Sequence, residues 1–279
     1  MRLTFPPSRH FDPGNVKDAE QTGDVDWSSF NSSFEDLLAK SWRDVNAATD
    51  CTLGRRLLRL CMAFQQQRRN AILDFEGKLR VFSKLRIPSN PDIVHFGAEV
   101  GWEAAILQAL FGDRGRVLLI DSDPKAYERF LRAPESVRVR MPLRSKRRWI
   151  DINRNLARIE YVREDFYRVQ SLRAFDVGID WGLIEHYDDA GKQSLISLFR
   201  SFLRPGGVQI CACPRDRLAV RLFYRAFADE LNFGYRELMS LKELCAHVER
   251  GGCRIKAKHR LPAHNIVVYR SPESPESAD

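Results

Sequence analysis

The stretch VHFGAEVGWE, residues 94–103, decides the fold of this 279-residue chain. A short β-prone run leads into Gly97, a second glycine follows at Gly101, and the apolar pattern WEAAILQALFG begins directly after it. This order predicts a strand, a tight turn and a helix that ends at Gly112. Glycine lets the backbone of such a turn approach a ligand closely, and the first turn of the helix offers unpaired N–H groups to a negative group.

The spacing of the glycines is compatible with two motifs, and neither fits completely. The dinucleotide-binding motif G-x-G-x-x-G would place glycines at positions 97, 99 and 102, where Glu99 and Trp102 depart from it. The motif G-x-G-x-G would place them at 97, 99 and 101, so that only Glu99 departs. His95 also stands where many such turns carry an acid. The turn alone therefore does not identify the site.

From Asp92 onwards, strand and helix patterns alternate along the chain. The β-prone runs are DIVHF, RVLLID, ARIEYV, FDVGID and GVQICAC, with helical stretches between most of them. Parallel strands need such crossover connections, so the order predicts an α/β fold with a doubly wound, mostly parallel seven-stranded sheet. The last two runs, CRIKAKHRL and HNIVVYR, have only a short gap between them. We therefore expect the last strand to be antiparallel.

The region before this domain has a different pattern. Residues 26–87 combine a helix start, NSSFEDLLAKSW, with apolar residues at helical spacing, and RIPSNPD then breaks the pattern. We expect an N-terminal helical cap or lid there, flexible residues at 1–25 and a disordered tail at 271–279. The main domain would then span residues 88–270. The aromatic residues of the helical part would either line the lid or make ordinary core contacts: Trp42, Phe64, Phe75 and Phe82.

Composition and charge limit the classes to which this protein can belong. The sequence contains neither an apolar run of about 20 residues nor a signal-peptide pattern, so we expect a soluble, cytoplasmic protein that is not bound to a membrane. The net charge is +8, but six basic residues lie between Arg138 and Arg148 without an acid, and without them the charge would be +2. A nucleic-acid surface usually needs a broader basic patch, and a short charge run is usually solvated.

The cysteines do not indicate a metal site. The six cysteines form no C-x-x-C pair, and Cys211 and Cys213 alternate in an apolar run that is typical of a strand. We therefore expect no metal.

Two acids follow the second and third predicted strands. Asp121 ends RVLLID, 24 residues after Gly97, and an acid at this place can accept hydrogen bonds from both hydroxyls of a ribose. The same residues also predict a helix start, with Ser122 or Asp123 as the cap. Asp165 follows the next strand; its carboxylate can accept an adenine amino proton, while Phe166 beside it can cover the base. The alternative for Asp165 is a cap or a solvated acid.

The segments FDVGIDWGLIEHYDD, LISLFRSFLRPGG, VQICACP and SLKELCAHVERGGCRI follow in a specific order. Together with the glycine turn, this order resembles class I S-adenosylmethionine-dependent methyltransferases, in particular the group with a GLLEH-like end of the fourth strand. The resemblance covers about residues 92–270. It implies a Rossmann-like fold, transfer of a methyl group from S-adenosyl-L-methionine, and S-adenosyl-L-homocysteine as the product.

The resemblance also implies a cofactor site at the ends of four strands, made by Gly97, Ala98, Glu99, Gly101, Asp121, Ser122, Asp165, Phe166, Asp180, Trp181 and Gly182. Glu99 carries a side chain into the place of the cofactor's amino-acid end. It would either crowd the cofactor or replace the acid missing at His95 and bind the ammonium. We favour the second hypothesis.

The reaction and its acceptor are less closely defined by the sequence. His186 follows the fourth strand and is the candidate general base, whereas Glu185 is a weaker alternative and His186 could instead stabilise a helix start or pack against the cofactor loop. The sequence has no [DN]-P-P-[YF] motif after the fourth strand, which argues only against the class that methylates exocyclic amines of nucleobases. We expect a small-molecule acceptor, which could be anionic. The alternatives are an RNA methyltransferase that uses residues 138–148 and a non-methylating binding protein. The acceptor atom and the oligomeric state, with a homodimer among the options, are not determined.

Overall fold

The computed structural model describes residues 3–5, 25, 29, 75–141, 149–170 and 174–270. The strands are β1 (Leu3–Thr4), β2 (Ile93–Phe96), β3 (Val117–Ile120), β4 (Ser136–Arg140), β5 (Trp149–Asn153), β6 (Ile159–Val162), β7 (Phe175–Trp181), β8 (Leu203–Pro214), β9 (Glu237–Leu238), β10 (Arg254–Arg260) and β11 (His264–Arg270). The helices are α1 (Phe75–Phe82), α2 (Trp102–Phe111), α3 (Pro124–Arg132), α4 (Asp189–Phe202), α5 (Leu218–Ala226), α6 (Ala228–Leu231) and α7 (Leu241–Arg250). Within the described residues, single turns of 3-10 helix lie at Leu156–Arg158 and Ile184–His186.

Seven strands form the central sheet, in the order β10-β11-β8-β7-β2-β3-β6. Within it, β2, β3, β6, β7 and β8 pair in parallel, whereas β11 is antiparallel to both of its neighbours. The predicted α/β class and the mostly parallel, doubly wound sheet are confirmed. The chain proceeds outwards from β2 to β6 and then returns to β7, so the direction of winding changes between β2 and β7. Open α/β sheets bind their ligands at this switch point, beyond the carboxyl ends of the strands.

Both faces of the sheet are covered, which explains the continuous apolar strands. Helices α1, α2 and α3 pack on one face, where Ile93 of β2 and Ile106 of α2 belong to the same hydrophobic cluster. Helices α4 and α7 pack on the other, where the ring of Phe96 stacks on Phe199 at 4.2 Å between centroids. Full burial of a large apolar side chain stabilises the fold by about 1.5–3 kcal/mol, so this core fixes the strand ends that carry the site.

The helix boundaries at the site follow from local residues. Gly112 ends α2 with φ +112° and donates its N–H to Gln108, which confirms the predicted stop. At the start of α3, the Asp123 carboxylate accepts a hydrogen bond from the Lys125 N–H at 2.9 Å. Asp123 is therefore the cap at this helix, one of the two alternatives that the sequence left open.

The basic segment after α3 forms an insertion. Strands β4 and β5 pair antiparallel as a separate two-stranded sheet, with Arg140 opposite Trp149. Alternating branched residues such as Val137 and Ile150 favour strands in this segment. Residues 142–148, which carry most of the basic charge, lie outside the described residues.

The predicted N-terminal cap is described only in part. Helix α1 falls within 26–87, and its residues Leu79 and Phe82 are fully buried against the sheet face that also carries α2. Strand β1 pairs antiparallel with β9. The remaining predictions for residues 1–74 and 271–279, including the flexible ends, lie outside the described residues apart from 3–5, 25 and 29. Among the residues that the structure describes, no helix has the length and hydropathy needed to cross a membrane.

Candidate functional site

The glycine turn between β2 and α2 has a left-handed backbone at three positions: φ is +59° at Gly97, +47° at Glu99 and +78° at Gly101. At Gly101, a Cβ atom would approach Leu119 Cδ1 to 2.6 Å, so glycine is required by both space and conformation. At Glu99 the left-handed conformation costs about 1–2 kcal/mol. Two hydrogen bonds hold it: its N–H donates to Asp121 Oδ2 at 3.0 Å, and its carbonyl accepts from the Tyr161 hydroxyl at 3.2 Å.

Asp121 at the end of β3 is organised by backbone N–H groups. Its Oδ2 accepts from Glu99 and its Oδ1 accepts from the Asp123 N–H at 3.0 Å. Burial raises the pKa of Asp121 to about 6, although both N–H groups oppose the rise. Each carboxylate oxygen retains a further lone pair, so the carboxylate remains an acceptor for hydroxyl groups. The neighbouring Ser122 is exposed.

The side chain of Glu99 is turned to the β3 side of the turn. Its Oε1 lies 3.2 Å from Nε of Arg129, a buried residue of α3. Burial raises the pKa of Glu99, and the Arg129 charge opposes this rise. The carboxylate that the sequence predicts to meet an ammonium thus has a cationic partner within the chain.

The acid after β6 begins a turn. Asp165 Oδ1 accepts from the Tyr167 N–H at 3.0 Å, which is the capping alternative considered from the sequence. The ring of Phe166 packs edge-on against Phe96 and Phe199, with centroids 6.2 and 6.0 Å apart, and the residue is 9% exposed. Phe166 therefore contributes mainly to the core in this structure, and little of its ring surface is open to a ligand.

The end of β7 directs its side chains to opposite faces of the sheet. Asp180 is fully buried, its Oδ1 accepts from Gln209 Nε2 at 2.8 Å, and burial raises its pKa to about 8. Trp181 faces α1 instead, and its ring centroid lies 4.6 Å from Nζ of Lys78. Gly182 follows with φ +77° and donates its N–H to Ala212. Only the backbone of Asp180 can therefore reach a ligand on the Trp181 face.

Sequence reasoning missed a buried ion pair next to Trp181. Lys78 Nζ lies 2.5 Å from Glu103 Oε1, and the two residues are 3% and 9% exposed. His95 lies in their field; burial lowers its pKa to about 4, so its ring is neutral at neutral pH. Neither nitrogen of this ring has a hydrogen-bond partner among the described residues. The available signal was the one charged residue of the helix WEAAILQALF, near its start.

His186 lies in a second cluster of polar side chains, beyond the end of β7. Its Nδ1 is 2.8 Å from the carbonyl oxygen of Tyr235, so Nδ1–H donates and Nε2 carries the lone pair when the ring is neutral. Burial and the Arg236 charge hold the pKa of His186 well below its usual value. Nε2 lies 3.9 Å from Oε1 of Glu185, and burial raises the pKa of Glu185 to about 7. A Cβ on Gly182 would lie 3.5 Å from that same oxygen, so the carboxyl group borders the end of β7.

The structure thus brings together the predicted residues at the ends of β2, β3 and β7. The side chains of Asp180 and Phe166 point into the core, and Ser122 points to solvent. Among the described residues, no group of three or more His, Cys, Asp or Glu side chains is placed to hold a metal ion. Cys211 and Cys213 are buried in β8, where burial raises the pKa of both thiols.

The seven-stranded sheet with its antiparallel β11 has the Rossmann-like fold of solved methyltransferase structures. Solved structures with this fold include human N-acetylserotonin methyltransferase in complex with SAM, with 12% identity, a TM-score of 0.51, and coverage of 88% of this chain and 67% of that one. Mitomycin 7-O-methyltransferase has 15% identity, a TM-score of 0.52, and coverage of 88% and 68%.

A third similar structure is an O-methyltransferase family 2 protein from Planctomyces limnophilus in complex with apigenin, with 12% identity, a TM-score of 0.54, and coverage of 86% and 69%. At these identities the likeness shows the fold alone. No family model matches the sequence, and no curated protein is significantly similar to it.

Proposed function

We propose that the chain is an S-adenosylmethionine-dependent methyltransferase that acts on a small-molecule acceptor. The observation that carries the proposal is the hydrogen bond from the N–H of Glu99 to Asp121. It connects the glycine turn to the acid after β3, at the switch point of a methyltransferase-type sheet. An accidental glycine turn would not need an anionic acceptor aligned with it from the next strand.

The residues present fit the cofactor. The Asp121 carboxylate has lone pairs left for two ribose hydroxyls, and the space beside Gly97 is bordered by Leu183, whose Cδ atoms would lie 3.7 Å from an added Cβ. Gly97, Ala98 and Gly101 would line the amino-acid end. Asp165 and the backbone at Phe166 would serve the adenine, while Trp181 and Gly182 would border the sulfur. When bound, the cofactor supplies a methyl group on a positively charged sulfur, already activated for attack.

The chain's own contribution to the reaction is alignment and removal of a proton. Alignment of the acceptor with the methyl carbon can lower the barrier by up to about 7–11 kcal/mol in well-ordered systems. If the acceptor atom carries a proton, Nε2 of neutral His186 takes it. The Glu185 carboxylate, 3.9 Å away, then stabilises the imidazolium. The small-molecule acceptor is supported by the mitomycin and apigenin named for two of the similar structures.

Calorimetry with S-adenosyl-L-homocysteine, followed by methylation assays on a panel of small phenols and amines, tests the proposal. We expect binding with a Kd in the micromolar range or below, and methylation of at least one acceptor class. Absence of binding would refute it. Binding without turnover on any acceptor would favour the non-methylating alternative. Methylation of RNA, with binding that weakens steeply as salt rises, would favour an RNA methyltransferase.

A further inference from the structure

We infer that the Lys78–Glu103 pair is the receptor for the zwitterionic amino-acid end of the cofactor, with Glu103 binding its ammonium and Lys78 its carboxylate. This inference rests on the proposed function and assigns to it two residues outside the glycine motif. In the structure, Nζ of Lys78 and Oε1 of Glu103 bind each other at 2.5 Å. The two opposite charges of the pair are complementary to the ammonium and the carboxylate of an amino acid.

The position of the pair supports this assignment. Glu103 is the second residue of α2 and lies two residues after Gly101, at the helix end that favours a carboxylate ligand. Lys78 reaches it from α1 and at the same time lies 4.6 Å from the centroid of the Trp181 ring, at the end of β7. The pair therefore spans from the glycine turn to the end of β7. These are the two places that the proposed function reserves for the methionine part of the cofactor.

Among the described residues, the other ionisable groups named at the turn either have partners elsewhere or carry no charge. Glu99 pairs with Arg129 on the β3 side, and Asp121 accepts two backbone N–H groups at the ribose position. His95, which replaces the usual acid, is neutral because it is buried. The carboxylate that lies in the field of His95 is that of Glu103. Glu103 thus places a negative charge near His95, which stands where such turns usually carry an acid.

Charge balance explains how a buried pair can open for a ligand. Removing one partner of a buried pair leaves an unpaired charge and is strongly unfavourable. A zwitterion instead gives each partner a replacement of the same sign, so the site stays neutral throughout. The ring of Trp181 faces this exchange and favours a cation on its surface. A ligand with only one of the two charges, or with neither, could not open the pair in this way.

Calorimetry with two ligands tests the inference without any turnover. S-adenosyl-L-homocysteine has the amino-acid end, whereas 5′-methylthioadenosine has the same adenosine and thioether without it. We expect Lys78→Met and Glu103→Gln each to weaken binding of the first ligand at least tenfold and to change the second less than twofold. The matched control is Arg80→Met, which removes an exposed cation from the same helix and should change neither.

Each outcome decides the question. Tighter binding of S-adenosyl-L-homocysteine to Lys78→Met would show that Lys78 competes with the ligand, and equal losses for both ligands would show a purely structural pair; either result overturns the inference. If a single variant does not fold, the double variant Lys78→Met/Glu103→Gln, which leaves no unpaired charge, decides in its place by the same two affinities. If the wild-type chain binds neither ligand, the proposed function itself fails, and the inference fails with it.

Discussion

The two sides of the glycine turn present their charges in different ways. On the β3 side, Asp121 accepts hydrogen bonds from two backbone N–H groups, that of Asp123 two residues after it and that of Glu99 in the glycine turn, 22 residues before it. On the β7 side, Lys78 of α1 and Glu103 of α2 are 25 residues apart and form a buried ion pair beside Trp181 at the end of β7. The first arrangement uses backbone N–H groups of the turns that follow two adjacent strands, and the second uses two side chains that meet through helix packing. We expect the first to serve the adenosine and the second the amino-acid end.

The largest effect is expected at His186, the candidate general base beyond the end of β7. His186→Ala should lower kcat about 100-fold or more, the usual contribution of a general base, while the Kd for S-adenosyl-L-homocysteine changes less than twofold. Steady-state assays on the accepted substrate and calorimetry measure the two quantities. The control is His259→Ala, because His259 lies on β10, outside the cluster of polar side chains around His186. Unchanged kcat would remove His186 as the base and favour its alternative role in packing.

The second prediction tests the β3 side alone. Asp121→Asn should weaken S-adenosyl-L-homocysteine and 5′-methylthioadenosine to the same extent, by roughly 10–100-fold, because hydrogen bonds to a charged acceptor contribute about 1.5–3 kcal/mol. Calorimetry with both ligands measures this, and Glu128→Gln, an exposed change on α3, is the control. A loss confined to S-adenosyl-L-homocysteine would place Asp121 at the amino-acid end and reverse the assignment of the two sides.

The first arrangement was largely predictable from the sequence, and the second was not. The glycine turn, the ends of β2, β3 and β7, and Asp121 follow from local patterns, because an acid directly after a strand must lie at its carboxyl end. The orientation of Phe166 was not predictable, since an aromatic residue after a strand can face either a ligand or the core. Here Phe96 and Phe199 provide aromatic contacts in the core.

The ion pair of Lys78 and Glu103 was missed for a different reason. A lysine in an amphipathic helix is usually exposed to solvent. An acid in the first turn of a helix is usually exposed as well and interacts favourably with the helix dipole. Their burial depends on how α1 packs across the start of α2, where Phe75 contacts Trp102 at 5.5 Å between ring centroids. That packing involves residues far apart in the chain, and local patterns contain no information on it.

The third prediction uses the raised pKa of Asp121. With a pKa of about 6, the carboxyl group is mostly ionised at pH 7, and below pH 6 it becomes protonated and loses its charge. Affinity for 5′-methylthioadenosine should therefore fall by up to about tenfold between pH 7 and pH 5, since one pH unit below the pKa leaves about a tenth of the groups ionised. Calorimetry across this range measures the fall. In Asp121→Asn the pH dependence should disappear; if it persists, another group causes it.

The smallest effect is expected at Glu99, and it is the sharpest test of the comparison. Glu99→Gly relieves a left-handed residue, a gain of about 1 kcal/mol, but removes the contact with Arg129, which at a partly exposed site contributes up to about 1 kcal/mol. Thermal unfolding should therefore shift by only a few degrees.

The affinity for S-adenosyl-L-homocysteine should change less than threefold in Glu99→Gly, because the ammonium is assigned to Glu103. Glu99→Gln keeps the side chain and removes only the charge, so it separates charge from backbone strain. If both variants weaken S-adenosyl-L-homocysteine tenfold and leave 5′-methylthioadenosine unchanged, Glu99 binds the ammonium. The amino-acid end would then lie on the β3 side, and the division of the site between backbone N–H groups on one side and a buried ion pair on the other would be wrong.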